Sequence, residues 1–257
     1  MTAARHSWYM TLRHLRALWR QPWWIAVTLV QPVIWLLLYG ALFKRVVDIP
    51  GFRGGSYIEF LAPGVIVMTA FFSAGWTGMP VIEDIDRGVM DRFLVSPVRR
   101  GSLITGRLLQ GALVIAIQSV IIVGLAVVVG ASFPNGVAGV IGLIAIAALL
   151  GSAFAALSIG LGLLVRREET LIATVQFLLL PLTFLSTTFM QKALMPGWMQ
   201  DAATVNPVNW AVEAGRTAAM GDGTFGQAAV RTALLALFLL LCGAFATRQF
   251  RAYQRSV

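Results

Sequence analysis

Residues 83–107, EDIDRGVMDRFLVSPVRRGSLITGR, form a charged island between two long apolar runs. At helical spacing, one face of its first half is apolar and the opposite face is charged. The apolar side chains are Ile82, Ile85, Val89, Met90, Phe93 and Leu94, and the charged ones are Asp84, Arg87 and Asp91. The pattern predicts a short amphipathic helix.

Ser96-Pro97 predicts the end of this helix, because proline disfavours helical geometry in the preceding residue and is accepted in the first turn of a new helix. A second helix is expected to run from there through Arg107 into the next apolar run. An amphipathic helix, a helix break and then a basic helical segment that leads back into the membrane favour a docking element for a cytoplasmic partner. The alternative is a solvated loop between two membrane helices.

The run Gly88–Arg100, followed by Gly106-Arg107-Leu108-Leu109, resembles the cytoplasmic segment of ABC-2 type transporter permeases, most closely the branch of daunorubicin-type drug exporters. In that family the segment is the coupling helix, which sits in a groove of a separate ATP-hydrolysing subunit. The resemblance implies contact with such a subunit through Asp84, Arg87, Gly88, Val89, Asp91, Arg92, Phe93, Leu94 and Pro97. Charged members of this set would orient the partner, and apolar members would anchor it.

More loosely, the resemblance covers nearly the whole chain. It implies an all-α integral membrane protein with six transmembrane helices in the type V exporter-like arrangement. It also implies two copies of the ATPase subunit and a second permease copy, identical or different.

Composition places the chain in a membrane, because 58% of its residues are apolar and only 12% are charged. The net charge of +9 does not indicate nucleic-acid binding, since the arginines flank apolar runs rather than forming one patch. Cys242 is the single cysteine, which excludes a disulfide within the chain. No cleavable signal is expected, because arginines precede an apolar run too long for a signal core.

Uncharged runs of about 20 residues predict the membrane spans. The six spans are expected at 23–43, 60–82, 108–130, 137–165, 170–190 and 228–247, with the coupling segment at 83–107. Tryptophan, leucine and arginine at helical spacing predict an interfacial helix at 5–21 on the membrane surface. In the fourth span, Ser152, Ala156 and Gly160 show the small-residue spacing that lets helices pack closely.

The mixed segment 192–227 is too polar to span, and we expect it to form two half-helices at the outer interface. Asn206 as cap and Pro207 at the first helical position predict a short helix that runs to about Met220. Arg231 would lie near the end of the sixth span, where its side chain can reach the interface.

The distribution of lysine and arginine predicts how the chain is oriented in the membrane. Of the 20 such residues, 14 would lie on the side that holds both termini and the charged segments, against six on the other side. We therefore predict a multi-pass protein of the bacterial cytoplasmic membrane with both termini in the cytoplasm.

No expected span carries a charged residue in its middle, which disfavours an ion-coupled carrier. Neither Lys44 nor Lys192 follows a glycine-rich phosphate-binding loop, so the chain is not expected to hydrolyse ATP. His6 and His14 precede the first span, which leaves no histidine in the bilayer for a metal. The chain is expected to hold no cofactor, and ATP and magnesium would bind the partner subunit.

Polar and aromatic side chains of the second and fifth spans could line a path for an apolar or amphipathic substrate, although ordinary helix packing is the alternative for each. The candidates are Thr69, Phe71, Phe72, Trp76, Gln176, Phe177, Thr183, Phe184, Ser186 and Thr187. The resemblance implies that these two helices meet across the permease dimer.

The resulting hypothesis is a permease subunit that exports a drug-like or lipid-like substrate with ATP hydrolysed elsewhere. A second hypothesis changes the cargo to a lipid-linked polysaccharide or another glycoconjugate. A third, of another class, is a membrane scaffold or passive channel without an ATPase.

Overall fold

The computed structural model describes residues 22–50, 52, 55–88 and 101–255, with side chains from residue 28 in the first helix and from residue 105 after the gap. The described residues form helices and no strand. The helices are α1 (22–42), α2 (Tyr57–Gly75), α3 (Met79–Asp86), α4 (Gly101–Val128), α5 (Gly136–Val165), α6 (Glu168–Phe184), α7 (Gly197–Val205), α8 (Pro207–Met220) and α9 (Phe225–Gln254). The predicted interfacial helix at 5–21 lies outside the described residues.

Four helical stretches in the described part are long and apolar enough to cross a membrane: Tyr57–Asp86, Thr105–Val128, Gly136–Val165 and Phe225–Gln254. The first of these comprises α2, a short 3-10 turn and α3. The apolar part of α1, Thr28–Leu42, and the 17-residue α6 are shorter. The protein is therefore all-helical in its described part, with four candidate spans, one shorter apolar helix and the 17-residue α6.

The central helix is α5, which packs against α2, α4, α8 and α9. Ala156 is fully buried, and a β-carbon on Gly160 would lie closer than 3.0 Å to the Phe245 ring of α9. Gly160 therefore lets α5 and α9 approach closely, whereas Ser152 lies on another side of α5.

Helices α6 and α9 differ from the predicted span limits. Helix α6 ends at Phe184 rather than Met190, and α9 extends beyond both predicted limits, from Phe225 to Gln254. After Pro181, the polar run Ser186-Thr187-Thr188 hydrogen-bonds to nearby backbone and side-chain groups, and these bonds replace the helical ladder. Hydropathy alone cannot detect such a turn, because the surrounding residues are still apolar.

Side-chain caps begin α2 and α8, and Thr224 caps α9 by accepting from the Gln227 amide. Ser56 and Glu59 form a capping box at the start of α2, and Glu59 also accepts a 3.1 Å hydrogen bond from the Ser132 amide. The helix predicted from Asn206 and Pro207 is confirmed, because Asn206 accepts a 2.9 Å bond from the Val208 amide and the helix ends at Met220.

Candidate functional site

The helix Tyr57–Asp86 is broken at a 3-10 turn, Trp76–Gly78, between α2 and α3. Pro80 lacks an amide hydrogen and cannot donate to the carbonyl one turn earlier, which favours a break at this position. The hydroxyl of Ser158 in α5 donates to the Gly75 carbonyl and accepts a 2.9 Å hydrogen bond from the Gly78 amide. A single buried side chain of the central helix therefore stabilises the break.

A cavity of about 660 Å³ lies beside this break, between α1, the α2–α3 region, α4 and α5. Trp76 lines it, together with Thr28 from α1 and the small residues Gly111 and Ser152. Its charged rim contains Glu83 and the partly buried ion pair between Asp84 and Arg107, which joins α3 to α4. The cavity is mainly apolar with a charged end, which suits an amphipathic molecule.

The coupling segment is described at its beginning, 83–88, and at its end, 101–107, but not between them. Asp84 is engaged within the chain by Arg107, whereas Arg87 is exposed and forms a 3.4 Å surface ion pair with Glu83. The other residues assigned to ATPase contact, Val89, Asp91, Arg92, Phe93, Leu94 and Pro97, lie outside the described residues. Of the charged residues expected to meet a partner, only Arg87 is described with its side chain directed away from the bundle.

The prediction of one continuous amphipathic helix from Ile82 to Leu94 is wrong. Helix α3 ends at Asp86, and Gly88 has φ +63° while its amide bonds to the Ile85 carbonyl. This left-handed conformation ends a helix, and glycine adopts it without steric cost. Ile82 and Ile85 therefore belong to the end of the α2–α3 span.

The four path candidates of the second predicted span, three in α2 and Trp76 in the turn after it, do not lie on one surface. Thr69 is buried and bonds to the carbonyl one turn earlier, and Phe71 is fully buried against Phe154 of α5, with ring centroids 4.3 Å apart. Phe72 is half-buried, and Trp76 lines the cavity. In the single chain, only Phe72 and Trp76 are partly accessible.

The six candidates of α6 and its following turn separate into two groups. Gln176, Phe177 and Phe184 are exposed, Phe177 to 78%, on a face that also contains Ile172 and Leu180. Thr183, Ser186 and Thr187 are buried and hydrogen-bonded within the chain. The exposed group forms an apolar face in the single chain, whereas the buried group holds the end of α6.

An aromatic cluster that sequence reasoning missed connects α1, α2 and the end of α6. Phe189 lies 5.2 Å from Trp35, 5.3 Å from Tyr39 and 5.8 Å from Phe184, measured between ring centroids. Tyr57 donates a 2.9 Å hydrogen bond to the Phe189 carbonyl. The available signal was the i, i+4, i+8 spacing of Trp35, Tyr39 and Phe43.

A buried polar network, which no sequence pattern predicted, joins α8 to the end of α6. Asn206 donates to the Leu182 and Leu185 carbonyls at 2.7 and 2.9 Å, and Asn209 accepts a 3.0 Å bond from the Thr187 amide. The guanidinium of Arg216 bonds at 3.1 Å to the carbonyls of Thr187 and Phe60. The network therefore fixes the end of α6 to α8 and to the start of α2.

Arg216 also stacks on the Phe60 ring, with the guanidinium carbon 3.8 Å from the ring centroid. Burial lowers the pKa of Arg216 to about 10, which leaves the guanidinium protonated at neutral pH. The cation is therefore buried in its charged form and held by carbonyls and a ring. Arg231, expected to reach the interface, forms an ion pair with Glu213 of α8.

In the part of the chain that the structure describes, no three histidine, cysteine, aspartate or glutamate side chains are grouped so as to hold a metal ion.

The chain is similar to one protein family and to several known transport permeases. The profile of the family described as ABC-2 type transporter matches residues 5–220. The daunorubicin resistance ABC transporter permease protein DrrB1 of Streptomyces coeruleorubidus is 29% identical over 229 residues, which cover 88% of this chain and 77% of that protein.

Two further relatives are transport permeases from other organisms. A transport permease designated ycf38 from Pyropia yezoensis is 32% identical over 200 residues, covering 77% of this chain and 68% of the relative. The inner membrane transport permease YadH of Escherichia coli K12 is 26% identical over 271 residues, with 93% of each chain covered.

Proposed function

The chain belongs to the ABC-2 type transporter family, and we propose that it is the permease subunit of an ATP-binding cassette exporter in a bacterial cytoplasmic membrane. Two copies of a separate cytoplasmic subunit would hydrolyse ATP with magnesium, and a second permease copy would complete the transport path. The observation that carries this proposal is the family match over 5–220, which includes the charged segment and both helices that flank it.

Helix α3 is the element through which movement of the ATPase would enter the bundle. It is eight residues long, it is separated from α2 by the 3-10 turn, and it leads directly into the coupling segment. The Asp84–Arg107 ion pair ties α3 to α4, so both helices would move together. Asp84 therefore has a positioning role in this proposal, while Arg87 and residues 89–97 would contact the ATPase.

The exposed face of α6 would form one wall of the transport path in the dimer. Phe177, Leu180 and Phe184 are large apolar side chains that lack cover in the single chain. A second permease copy would cover part of this face, and an apolar or amphipathic substrate would pass along the rest. A drug-like or lipid-like molecule fits such a wall better than an ion does, since the stretch of α6 from Phe177 to Phe184 contains no charged residue.

Export of a lipid-linked polysaccharide is the second candidate within the same family. The observation that favours it is the cavity beside α3, whose mainly apolar lining also suits a lipid chain. A scaffold or channel without an ATPase is a third candidate. A protein of that class would not require a charged segment with an apolar face, because it would have no ATPase to bind.

Docking is tested with the variant Phe93→Glu/Leu94→Glu in the full chain, coexpressed with the ATPase subunit encoded beside it. We expect membrane insertion to be retained and copurification of the ATPase to fall at least tenfold, because two apolar anchors would become charged. Phe225→Glu is the matched control, because Phe225 is 86% exposed at the start of α9 and lies outside the segment. Unchanged copurification of the double variant would refute the docking role of the segment.

Cargo is tested by measuring ATPase activity of the purified complex in lipid. Apolar drugs and lipid-linked sugars are compared in parallel. Stimulation by drugs alone supports the first candidate, stimulation by lipid-linked sugars alone supports the second, and no copurifying ATPase supports the third.

The turn at Gly88 provides an independent test of the coupling segment. Gly88→Val is expected to weaken ATPase copurification roughly tenfold, because a β-branched residue at φ +63° is strained by about 1–2 kcal/mol. Gly88→Asn should retain most of the binding, since asparagine tolerates this conformation. Gly124→Val, in a helix with open space around the glycine, is the control for a general effect of the added side chain. If Gly88→Val and Gly88→Asn bound the ATPase equally well, the turn at Gly88 would not determine how the coupling segment is oriented.

A further inference from the structure

One continuous exposed face of α9 changes from apolar to basic along its length. Its residues recur at alternating intervals of four and three, the spacing that keeps side chains on one side of a helix. They are Leu237, Leu241, Ala244, Arg248, Arg251 and Arg255, and all six are exposed. The two leucines are exposed to 52% and 61%, so this face lacks a protein cover along its apolar half.

The basic half of this face forms a hollow of about 590 Å³. Its lining consists of Ala244, Thr247, Arg248, Arg251, Ala252 and Arg255. The alanines leave space between the guanidinium groups, and α9 contains no acidic residue. None of the three arginines forms an ion pair with another residue in the described part of the chain. Three cations therefore line one open hollow on the surface of α9, and none of them has an ion-pair partner in the described part of the chain.

The apolar half requires a hydrocarbon neighbour and the basic half requires an anion. Leu241 and Arg248 are seven residues apart, which corresponds to about 10 Å along a helix. A phospholipid spans this distance from its acyl chains to its headgroup. A second copy of α9 is a poor occupant, because its three arginines would face these three.

We propose that this face binds an anionic phospholipid in the leaflet at the carboxyl-terminal end of α9, with the headgroup in the arginine hollow and an acyl chain along Leu237 and Leu241. Basic residues near the end of a span also serve membrane orientation. Orientation alone, however, does not require three arginines on one exposed face around a hollow. The site is independent of the transported substrate and of the proposed transport path.

The test measures binding of spin-labelled phosphatidylglycerol and phosphatidylcholine to the full chain in nanodiscs. We expect a preference for phosphatidylglycerol of at least tenfold, since each arginine near an anionic headgroup contributes about fivefold. The triple variant Arg248→Gln/Arg251→Gln/Arg255→Gln should lose this preference, and the triple lysine variant should keep most of it. Arg167→Gln is the matched control, because Arg167 is exposed at the end of a helix pair but lies outside the hollow.

Equal binding of the two lipids by the unaltered chain would overturn the proposal, as would an unchanged preference in the triple glutamine variant. If neither lipid is preferred and the glutamine variant instead loses the ATPase subunit, the hollow is a protein docking site and the lipid proposal fails. Displacement of the labelled lipid by soluble glycerol phosphate at millimolar concentration would indicate a phosphate site rather than a lipid site. Thermal unfolding of each variant verifies that the helix bundle is intact.

Discussion

Replacing Arg216 with alanine is expected to lower the free energy of unfolding by about 3 kcal/mol. The guanidinium donates to the Phe60 and Thr187 carbonyls and stacks on the Phe60 ring, with only 7% of the residue exposed. Alanine removes both donors and leaves a cavity between α8, the start of α2 and the end of α6. The thermal unfolding midpoint of the purified chain in detergent measures this loss.

Arg216→Lys should recover only part of the stability, because an ammonium group cannot reproduce the stacked planar geometry. Arg45→Ala is the matched control, since Arg45 is exposed in the 3-10 helix Lys44–Asp48 after α1, and its removal should change the unfolding free energy by less than about 0.5 kcal/mol. An unfolding midpoint for Arg216→Ala equal to that of Arg45→Ala would mean that the buried network does not stabilise the fold.

Replacing Gly78 with alanine is expected to produce the largest loss of coupling between ATP hydrolysis and transport. A β-carbon at this position would lie closer than 3.0 Å to the Ser158 backbone oxygen, so α5 and the turn before α3 would have to separate. Overpacking at such a close contact typically costs about 1–3 kcal/mol. Substrate-stimulated ATPase activity of the purified complex is the measurement, with stability followed in parallel.

Because Gly78→Ala could prevent assembly, Ser158→Ala gives a milder version of the same test. It leaves the Gly75 carbonyl and the Gly78 amide without their buried partner, at a cost of about 1–3 kcal/mol, and adds no atoms. We expect a complex that still binds the ATPase but shows weaker stimulation by substrate. Gly243→Ala in α9 is the control, since nothing surrounds that glycine within 4 Å. If substrate stimulated the ATPase activity of Ser158→Ala fully, the break between α2 and α3 would not be part of the coupling mechanism.

The helices that the sequence predicted most closely are those with long uninterrupted apolar runs. The fourth predicted span, 137–165, agrees with α5 at Gly136–Val165, and Phe133-Pro134-Asn135-Gly136 lies in the connection before it. The helix from Pro207 to Met220 followed from a capping residue and a proline. These features are local, because hydropathy, capping and proline geometry act within a few residues of one another.

The residues that hold the bundle together were harder to predict. Arg216 was counted with the extramembrane charges, yet it lies inside the protein against residues more than one helix away in sequence. Ser158 gave no signal, because a single serine in an apolar helix is ordinary until the broken helix it bonds to is placed beside it. Of the path candidates, Phe71 lies in the core and Phe177 on an exposed face, although both are phenylalanines in apolar runs.

The amino-acid sequence by itself determined that this is a helical membrane protein, where its long apolar helices lie, which segment is charged, and which family that segment resembles. These properties depend on composition and on residues close together in the chain. Only the tertiary structure decided that the helix Tyr57–Asp86 breaks at a turn stabilised by Ser158, that Asp84 pairs with Arg107, and that Arg216 joins three helices. The reason is physical: a buried hydrogen bond or ion pair requires two groups at a fixed distance, and helix packing alone sets that distance.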